Sequence, residues 1–337
     1  MDKMMKFIDI YIPVTECNLN CHYCYISDSN RRGKVPTPYM YDAEYIGKAL
    51  SVERLGGLCH FNMCGWGETM LSDQIVPICE NILKQGHYIW IVTNGLITKR
   101  FEEMLQLKDE YLERLGFKFS FHYLELKKRN LLDKFFETVA LVKQKGCSYS
   151  IEVTPSDELY EYKDEVKQVV MEHCKAMPHI TVPRIGSDPS HPILSKYSVE
   201  EFQEMWRDFN SDMFDFKMSV WGEKREEFCY AGQVTGLLNI GNGMFKACYA
   251  SPIRENIFED IEKPIHFRPV GHDCQMAHCF NSHAFLSLGT IPQINTHNYL
   301  QMRNRVISDQ EQWVNHKMAQ FIAQRLDVNH GLDQIDK

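Results

Sequence analysis

Regular alternation between apolar runs and amphipathic segments is the feature that most limits the folds open to this chain. The apolar runs predict six strands, at Phe7–Val14, Leu58–Met63, Tyr88–Thr93, Phe117–Phe121, Tyr149–Thr154 and Ile180–Arg184. The amphipathic segments predict crossover helices at Tyr41–Arg54, Asp73–Gln85, Lys99–Lys108, Leu131–Lys145 and Glu158–Cys174. Such an order predicts a parallel sheet with right-handed crossovers, as a barrel or an open sheet. In both architectures the chemistry lies beyond the carboxyl ends of the strands.

The alternation ends before the last third of the chain. Ser198–Asn210 still predicts a helix, but from Phe228 onward short strands, glycines and cysteines predominate. Leu237–Ile240 and Met244–Ala247 flank Gly241-Asn242-Gly243, which predicts a β-hairpin. A second, smaller module is therefore expected in this region.

Three domains follow from this pattern. We expect a main domain over residues 1–220, a small module over residues 221–300 and a tail over residues 301–337. The polar tail from Asp309 carries a weak helical stripe, which predicts a terminal helix packed on the body. The stripe consists of Trp313, Met318, Phe321, Ile322 and Leu326.

Charge and composition narrow the classes of partner. The chain has 37 basic and 45 acidic residues and a net charge of -8, which disfavours nonspecific binding to nucleic acid or to anionic membranes. It has neither an apolar run of the roughly 20 residues that a membrane helix needs nor a secretion signal, so we predict a cytoplasmic protein. Twelve cysteines in such a chain indicate metal ligation or catalysis rather than disulfides.

The first cysteine group directly follows the first predicted strand. Cys17-Asn-Leu-Asn-Cys21-His-Tyr-Cys24 places three thiols in one short loop, where they can converge on one inorganic centre. Three thiolates holding a cluster of four irons would leave one iron without a protein ligand. Zinc is the alternative, although structural zinc sites usually close with four ligands.

This C-x3-C-x2-C loop after the first strand resembles the signature of the radical S-adenosylmethionine (SAM) superfamily. The resemblance implies a partial (β/α)6 TIM-like barrel with a small carboxyl-terminal β-hairpin domain. It also implies that Cys17, Cys21 and Cys24 hold a 4Fe-4S cluster whose open iron binds the amino and carboxylate groups of SAM. Tyr23 matches the aromatic position of the family motif and would pack near the adenine.

The end of the second strand supports the same resemblance. Cys64-Gly65-Trp66-Gly67-Glu68 resembles the G-G-E motif of the superfamily, with Trp66 between the glycines as a departure. By resemblance, Gly65, Gly67 and Glu68 would bind the methionine part of SAM, whose amino group a carboxylate can satisfy.

Later strand ends supply further candidates. Thr93-Asn94-Gly95 resembles the T-N-G strand end of the family, where polar groups meet the cofactor, although such a turn also ends ordinary strands. Ser120 and Glu152 are predicted to contact SAM from the fourth and fifth strands. His122 and Arg184 are weak catalytic candidates, with a core histidine and a surface ion pair as the plainer alternatives.

A second cysteine group occurs in the small module. Its members are Cys229, Cys248, Cys274 and Cys279. The spacing from Cys229 through Gly243 to Cys248 resembles the opening of SPASM and twitch domains, which carry auxiliary iron-sulfur clusters. Four cysteines instead of the seven of a full SPASM domain imply one auxiliary 4Fe-4S cluster, and zinc bound by four thiolates is the alternative.

The implied activity is reductive cleavage of SAM to a 5'-deoxyadenosyl radical that abstracts hydrogen from a substrate. An outside donor such as flavodoxin or ferredoxin would supply the electron. We expect oxidation or rearrangement of a small polar, carbohydrate-like molecule, because the first strand begins near Phe7 and leaves no room for a leader-peptide-binding domain. A peptide maturase that forms thioether or carbon-carbon links or epimerises residues is the alternative. A non-catalytic iron-sulfur or zinc redox sensor is the alternative from another class.

Overall fold

The computed structural model describes residues 2–309 and 311–334 and contains a nine-stranded sheet with helices on its outer face. The sheet order is β6-β5-β4-β3-β2-β1-β7-β8-β9, and β10 pairs separately with β11. Strands β1 to β6 are all parallel to their neighbours. The strands are β1 Met4–Ile12, β2 Leu58–Gly65, β3 Tyr88–Thr93, β4 Leu115–Ser120, β5 Ser148–Val153, β6 His179–Ile180, β7 Thr235–Asn239, β8 Met244–Lys246, β9 Arg254–Asn256, β10 Val306–Ser308 and β11 Glu311–Gln312.

The helices follow the strands in the alternating order expected for a partial TIM-like barrel. None of those in the described residues has the length and apolar content of a membrane-spanning segment. The α-helices are α1 Tyr25–Asp28, α2 Ala43–Ala49, α3 Val52–Leu55, α4 Ile75–Lys84, α5 Thr98–Met104, α6 Asp109–Leu112, α7 Tyr123–Lys128, α8 Leu132–Gln144, α9 Lys163–Cys174, α10 Val199–Trp206, α11 Asp212–Ser219, α12 Ser282–Phe285, α13 His316–Ile322 and α14 Leu326–His330.

The two faces of the sheet bury different side chains. On β1, Ile8, Ile10 and Ile12 pack into the main core beneath the helices. Residues that alternate with them face the other way, because side chains along a strand point to opposite sides. Phe7 there joins a second core with the carboxyl-terminal region, whereas Asp9 is a buried charge. The strands are therefore apolar on the outer face and mixed on the inner face.

The crossover helices form where apolar residues recur at helical spacing. In α4, Ile75, Ile78, Cys79 and Ile82 are buried and lie on one face, so the helix covers the sheet with an apolar stripe. Side-chain caps begin several of the helices. The Asp42 carboxylate, for example, accepts a hydrogen bond from the backbone of Tyr45 at the start of α2.

The predicted strand and helix order is confirmed, with one shortened strand. The first five strands lie within a few residues of their predicted positions, and so do most crossover helices. The predicted helix Tyr41–Arg54 is divided into α2 and α3, because Ser51 caps the start of a second helix. The sixth spans only His179–Ile180, because the chain then leaves the sheet. Arg184, predicted at its end, forms an isolated bridge with Ile193 instead.

The predicted hairpin is present and extends the barrel sheet. β7 pairs in parallel with β1, and β8 and β9 follow in antiparallel order. The turn between β7 and β8 contains Gly243, whose φ of +77° suits glycine. The carboxyl-terminal region is thus joined to the barrel by main-chain hydrogen bonds, and the division at residues 220 and 300 stays a prediction.

The tail packs on the body as predicted but contains two short helices, α13 and α14, instead of one. Trp313 precedes α13, and its indole donates to the carbonyl of Cys174 at 3.0 Å. Phe321 stacks on Tyr88 with ring centroids 3.8 Å apart. The tail therefore covers the amino ends of the barrel strands, the end opposite the expected chemistry. The predicted bounds 1 and 337 lie outside the described residues.

Asn315 fastens this tail and provides a test of the packing. Its side-chain oxygen accepts from the backbone of Met318, and its Nδ2 donates to the carbonyls of Glu113 and Gly146 at 3.1 and 3.0 Å. We expect Asn315→Ala to lower the free energy of unfolding by about 2–3 kcal/mol, because a cap and two cross-links are lost together. Urea unfolding followed by circular dichroism measures this loss.

Asp42→Ala is the matched control, since it removes only the cap of α2. Its expected cost is about 1 kcal/mol. Equal costs for the two variants would contradict the fastening role of Asn315.

Candidate active site

The loop after β1 brings the three predicted cluster cysteines together. Cys17, Cys21 and Cys24 are all free and partly exposed. Burial raises the pKa of the Cys21 thiol to about 12, and the neighbouring Cys17 and Cys24 thiols raise it further. Burial also raises the pKa of Cys17. The three thiols therefore lie within electrostatic reach of one another, and the positive charge of an inorganic centre would stabilise their thiolates.

Two arginines hold this cysteine loop from outside. Arg32 donates to the backbone carbonyl of Cys17 at 3.1 Å and to the side chain of Asn20 at 3.0 Å. Arg129, which follows α7, donates to the carbonyl of Asn18. The two arginines therefore bond the carbonyls of Cys17 and Asn18. Among the described residues, no cationic side chain donates a hydrogen bond to the three thiols.

The glycine loop after β2 packs directly against the cysteine loop. A Cβ on Gly67 would lie 1.8 Å from the carbonyl oxygen of Glu16, so only glycine allows this approach. The backbone of the next residue, Glu68, donates to that same carbonyl at 2.8 Å. Gly65 is also close, since its Cβ would lie 3.3 Å from the carbonyl of Val14. The motif glycines therefore fix the distance between two loops.

The Glu68 side chain connects these loops to the end of β3. Its carboxylate accepts from the Thr93 hydroxyl at 2.6 Å, from the backbone of Asn94 at 2.7 Å and from the backbone of Met70 at 3.0 Å. Burial raises the pKa of Glu68, and these three hydrogen bonds offset part of the rise. Asn94 in turn donates to the side chain of Asn18 at 2.6 Å in the cysteine loop. The sequence motifs indicated Glu68, Thr93 and Asn94 as site residues. They did not indicate that the Glu68 carboxylate would accept hydrogen bonds from the other two.

Tyr23 and His122 form a buried pair beside the cysteines. The Tyr23 hydroxyl and His122 Nδ1 lie 2.8 Å apart, and Tyr23 is only 8% exposed. Burial lowers the pKa of His122 to about 4, so the imidazole is neutral near pH 7. Ser120, two residues earlier, pairs in register with Glu152 at the ends of β4 and β5. The predicted roles of these four residues in cofactor binding and catalysis stay predictions.

Arg184 lies between the two cysteine regions. Its guanidinium carbon is 4.2 Å from the ring centroid of Tyr25 and 4.5 Å from that of Phe280. Tyr25 directly follows Cys24, and Phe280 directly follows Cys279. The arginine therefore makes cation-π contacts to both regions, in place of the surface ion pair considered as the plainer alternative.

The four cysteines of the second group also converge. Burial raises the pKa of Cys229 to about 12 and that of Cys248 to about 11, with Cys274 adding to both rises. Burial raises the pKa of Cys279 as well, and the other three thiols contribute. The hairpin carries Cys248, and an isolated bridge to Gly271 holds Cys229 beside the loop that contains the other two.

The remaining thiols and nearby histidines occupy other positions. Cys59, Cys79, Cys147 and Cys174 are buried in the core, and Cys64 near the end of β2 is partly exposed. The ring of His278 packs on Trp221 with centroids 4.4 Å apart, and His272 bonds the carbonyl of Glu226 at 2.9 Å. Within the described part of the chain, no three His, Cys, Asp or Glu side chains are arranged to hold a single metal ion.

Several buried charges were not singled out from the sequence. Asp9, Lys118 and Arg303 are each less than 9% exposed. Asp9 and Lys118 interrupt apolar strands, and such an interruption could have marked them as functional candidates in the sequence. Arg303 belongs to a loop without periodicity, so the sequence gives no such indication. Only the folded chain brings Arg303 within 3.8 Å of Glu152.

Comparison with known proteins agrees with this geometry. Residues 11–158 match the model of the radical SAM superfamily. A curated relative, described as a probable GTP 3',8-cyclase of Pyrobaculum aerophilum, is 35% identical over 97 residues. That match covers 28% of this chain and 29% of the relative, so the chain matches less than a third of the relative's length.

Solved structures show the same fold. SuiB of Streptococcus suis bound to S-adenosylmethionine superposes with a TM-score of 0.55 at 16% identity, over 77% of this chain and 64% of SuiB. The enzyme anSMEcpe with bound AdoMet gives a TM-score of 0.52 at 16% identity, over 76% of each chain. The superfamily match spans the cysteine loop and the glycine loop, so residues 11–158 are similar to the radical SAM superfamily, and the solved structures agree with this chain in fold.

Proposed function

We propose that this enzyme cleaves SAM reductively and uses the resulting radical to abstract hydrogen from a small polar, carbohydrate-like substrate. One observation carries the proposal: the three-cysteine loop, the glycine loop and the end of β3 form one hydrogen-bonded unit through Glu68 and Asn94. The later steps are an oxidation or a rearrangement of the substrate.

The donor set fits a 4Fe-4S cluster bound through three thiolates. Cys17, Cys21 and Cys24 would hold it, leaving one iron for the amino and carboxylate groups of SAM. Once reduced by the outside donor, a bound cluster would supply the one electron that cleaves SAM into methionine and the 5'-deoxyadenosyl radical. Tyr23 would cover the adenine, and its buried position beside the cysteines limits access of water.

The residues at the strand ends would position the cofactor. Glu68 holds the strand-end loops through its three hydrogen bonds, which would keep Thr93 and Asn94 beside the bound SAM. Ser120 and Glu152 lie side by side at the next two strand ends, where they would reach the ribose. A rigid unit of this kind restricts the reacting geometry, which matters because small displacements cost large factors in rate.

The second cysteine group would hold one auxiliary 4Fe-4S cluster. Four mutually interacting thiols on and near the β7–β8 hairpin are the support for it. A closed set of four ligands favours electron transfer or structural support over direct binding of the substrate. Flavodoxin or ferredoxin is the expected class of electron donor.

A peptide substrate is the second candidate. SuiB superposes on this chain also in a structure bound to its precursor peptide SuiA, with a TM-score of 0.52 at 16% identity. The barrel architecture is therefore compatible with peptide maturation. A gene for a short precursor peptide beside this one would favour that activity, and neighbouring glycosyltransferase genes would favour a sugar.

The radical-forming step is tested by replacing the first cysteine group. We expect the anaerobically reconstituted wild type to form 5'-deoxyadenosine from SAM and dithionite, and the Cys17→Ala, Cys21→Ala, Cys24→Ala variant to form none above background, because no iron remains to bind SAM. Liquid chromatography quantifies the nucleoside. Cys147→Ala, which removes a buried thiol at the start of β5, is the control and should retain activity. A reconstituted wild type that makes no 5'-deoxyadenosine would sink the proposal and favour the redox sensor.

The second cysteine group is tested by metal content. We expect about eight irons per chain in the reconstituted wild type and about four in the Cys248→Ala, Cys274→Ala variant, since each cluster holds four. Elemental analysis and Mössbauer spectroscopy measure this, with Cys174→Ala as the control for loss of a buried thiol. A wild type with about four irons and about one zinc would instead assign the second group to zinc.

A further inference from the structure

The inner face of the barrel sheet carries charged side chains where a small barrel is usually packed with branched apolar layers. Asp9 on β1 and Lys118 on β4 are each 6% exposed, and Arg303 from the carboxyl-terminal region is 0% exposed. The strand neighbours of Lys118 belong to the opposite core beneath the helices, so this lysine faces inward. We call the following five residues the inner polar cluster: Asp9, Asn62, Lys118, Glu152 and Arg303.

Arg303 is incompletely paired although it is buried. Its Nη1 donates to the carbonyl of His283 at 3.0 Å, and its guanidinium lies 3.8 Å from the ring centroid of Tyr299. Its Nε is 3.8 Å from Glu152 Oε1, which is an ion-pair contact beyond hydrogen-bond distance. Among the described residues, neither Nε nor Nη2 of Arg303 has a hydrogen-bond partner, and Glu152 Oε1 has none either. Such a guanidinium is suited to bind a ligand with its fork of donors.

Further basic side chains lie near the inner polar cluster. The Lys118 side chain is buried as well, and its positive charge acts on the Asp9 carboxylate. Lys217 is 2% exposed and donates to a backbone carbonyl, while Nε of Arg184 is buried without a partner in the described chain. His283 lies within electrostatic reach of all four cations. Burial lowers the pKa of His283 well below its usual range, and Lys217, Arg303, Lys118 and Arg184 lower it further.

The two carboxylates face three cations that keep their charge, Lys118, Arg184 and Arg303, because burial lowers the pKa of Lys217 to about 7. Asp9 is already engaged, because it accepts from the Asn62 amide at 2.6 Å, the Tyr249 hydroxyl at 2.7 Å and the Asn281 amide at 3.0 Å. Lys118 and Arg303 also act on the Asp9 carboxylate, and Glu152 faces Arg303, so both carboxylates offset part of the positive charge. Enclosed charges of one sign repel each other, and an anion entering the space relieves that repulsion.

We propose that the inner polar cluster binds an anionic group, a carboxylate or a phosphate, on the substrate, with Arg303 and Lys118 as the groups that hold it. The inference rests on the proposed function, to which it adds a charge on the small polar substrate. Tyr249 and Asn281, which bond Asp9, lie one and two residues after Cys248 and Cys279. A substrate held there lies next to the second cysteine group, and its anchored acid group orients the rest of it.

Thermal unfolding of the reconstituted protein with excess SAM tests this inference. Inorganic phosphate and acetate are titrated separately at constant ionic strength, since both are small enough to report on the anion site alone. We expect a saturable rise in the unfolding midpoint of the wild type with at least one of them, because a ligand that binds the folded state stabilises it. A larger response to phosphate assigns a phosphorylated substrate, and a larger response to acetate assigns a carboxylic acid.

Two variants locate the anion. Lys118→Met and Arg303→Met should weaken the apparent affinity by about tenfold or more. Lys128→Met is the matched control, because it removes an exposed lysine of α7, and it should behave as the wild type. If Arg303→Met does not fold, the Lys118→Met variant alone tests the anion site. Arg303→Lys keeps a positive charge and should retain part of the rise in unfolding midpoint with added anion.

A wild type without a saturable response to either anion overturns the inference, as do Lys118→Met and Arg303→Met variants that respond like the wild type. Formation of 5'-deoxyadenosine is measured on the same preparations. A wild type that forms the nucleoside but ignores both anions disproves the anion site alone. A wild type that forms no 5'-deoxyadenosine disproves the proposed function, and its response to the anions is judged separately.

Discussion

The buried carboxylate of Glu68 is the interaction on which the candidate site depends. It accepts three hydrogen bonds that join the glycine loop to the end of β3, and the backbone of the same residue bonds Glu16 beside the cysteine loop. Removing one partner of such a network leaves the others buried and unpaired, which costs about 1–3 kcal/mol for each group. The ends of β1, β2 and β3 therefore act as one rigid unit, and the spacing of the cysteines follows from it.

The same sheet serves two purposes through its two faces. Its outer face is apolar and packs under the helices, so stability comes from that side. Its inner face holds Asp9, Lys118 and Glu152, and Arg303 reaches them from a distant part of the chain. Incompletely paired buried charges contribute little to the stability of the fold. Binding of a ligand is therefore a better reason for their presence than stability.

The carboxyl-terminal region is bound to the barrel more closely than its composition indicates. β7 pairs with β1 directly, which places the second cysteine group on the same sheet as the first. Arg184 then contacts an aromatic ring beside each group, at Tyr25 and Phe280. The hairpin thus extends the barrel sheet, and the tail covers the amino ends of its strands.

Local patterns in the sequence determined the strands, the crossover helices, the hairpin and the cysteine loop, because periodicity, turn residues and ligand spacing act over a few residues. The sixth strand is shorter than the sequence predicts. β5 ends at Val153, which pairs with Ile180, so the residues from there to Arg184 have no neighbouring strand to pair with. Tertiary structure alone decided that Glu68 would join three strand ends, and that Arg303 would lie beside Glu152. Those contacts connect residues far apart in the chain, and their free energy depends on burial and charge that arise only when the sheet is assembled.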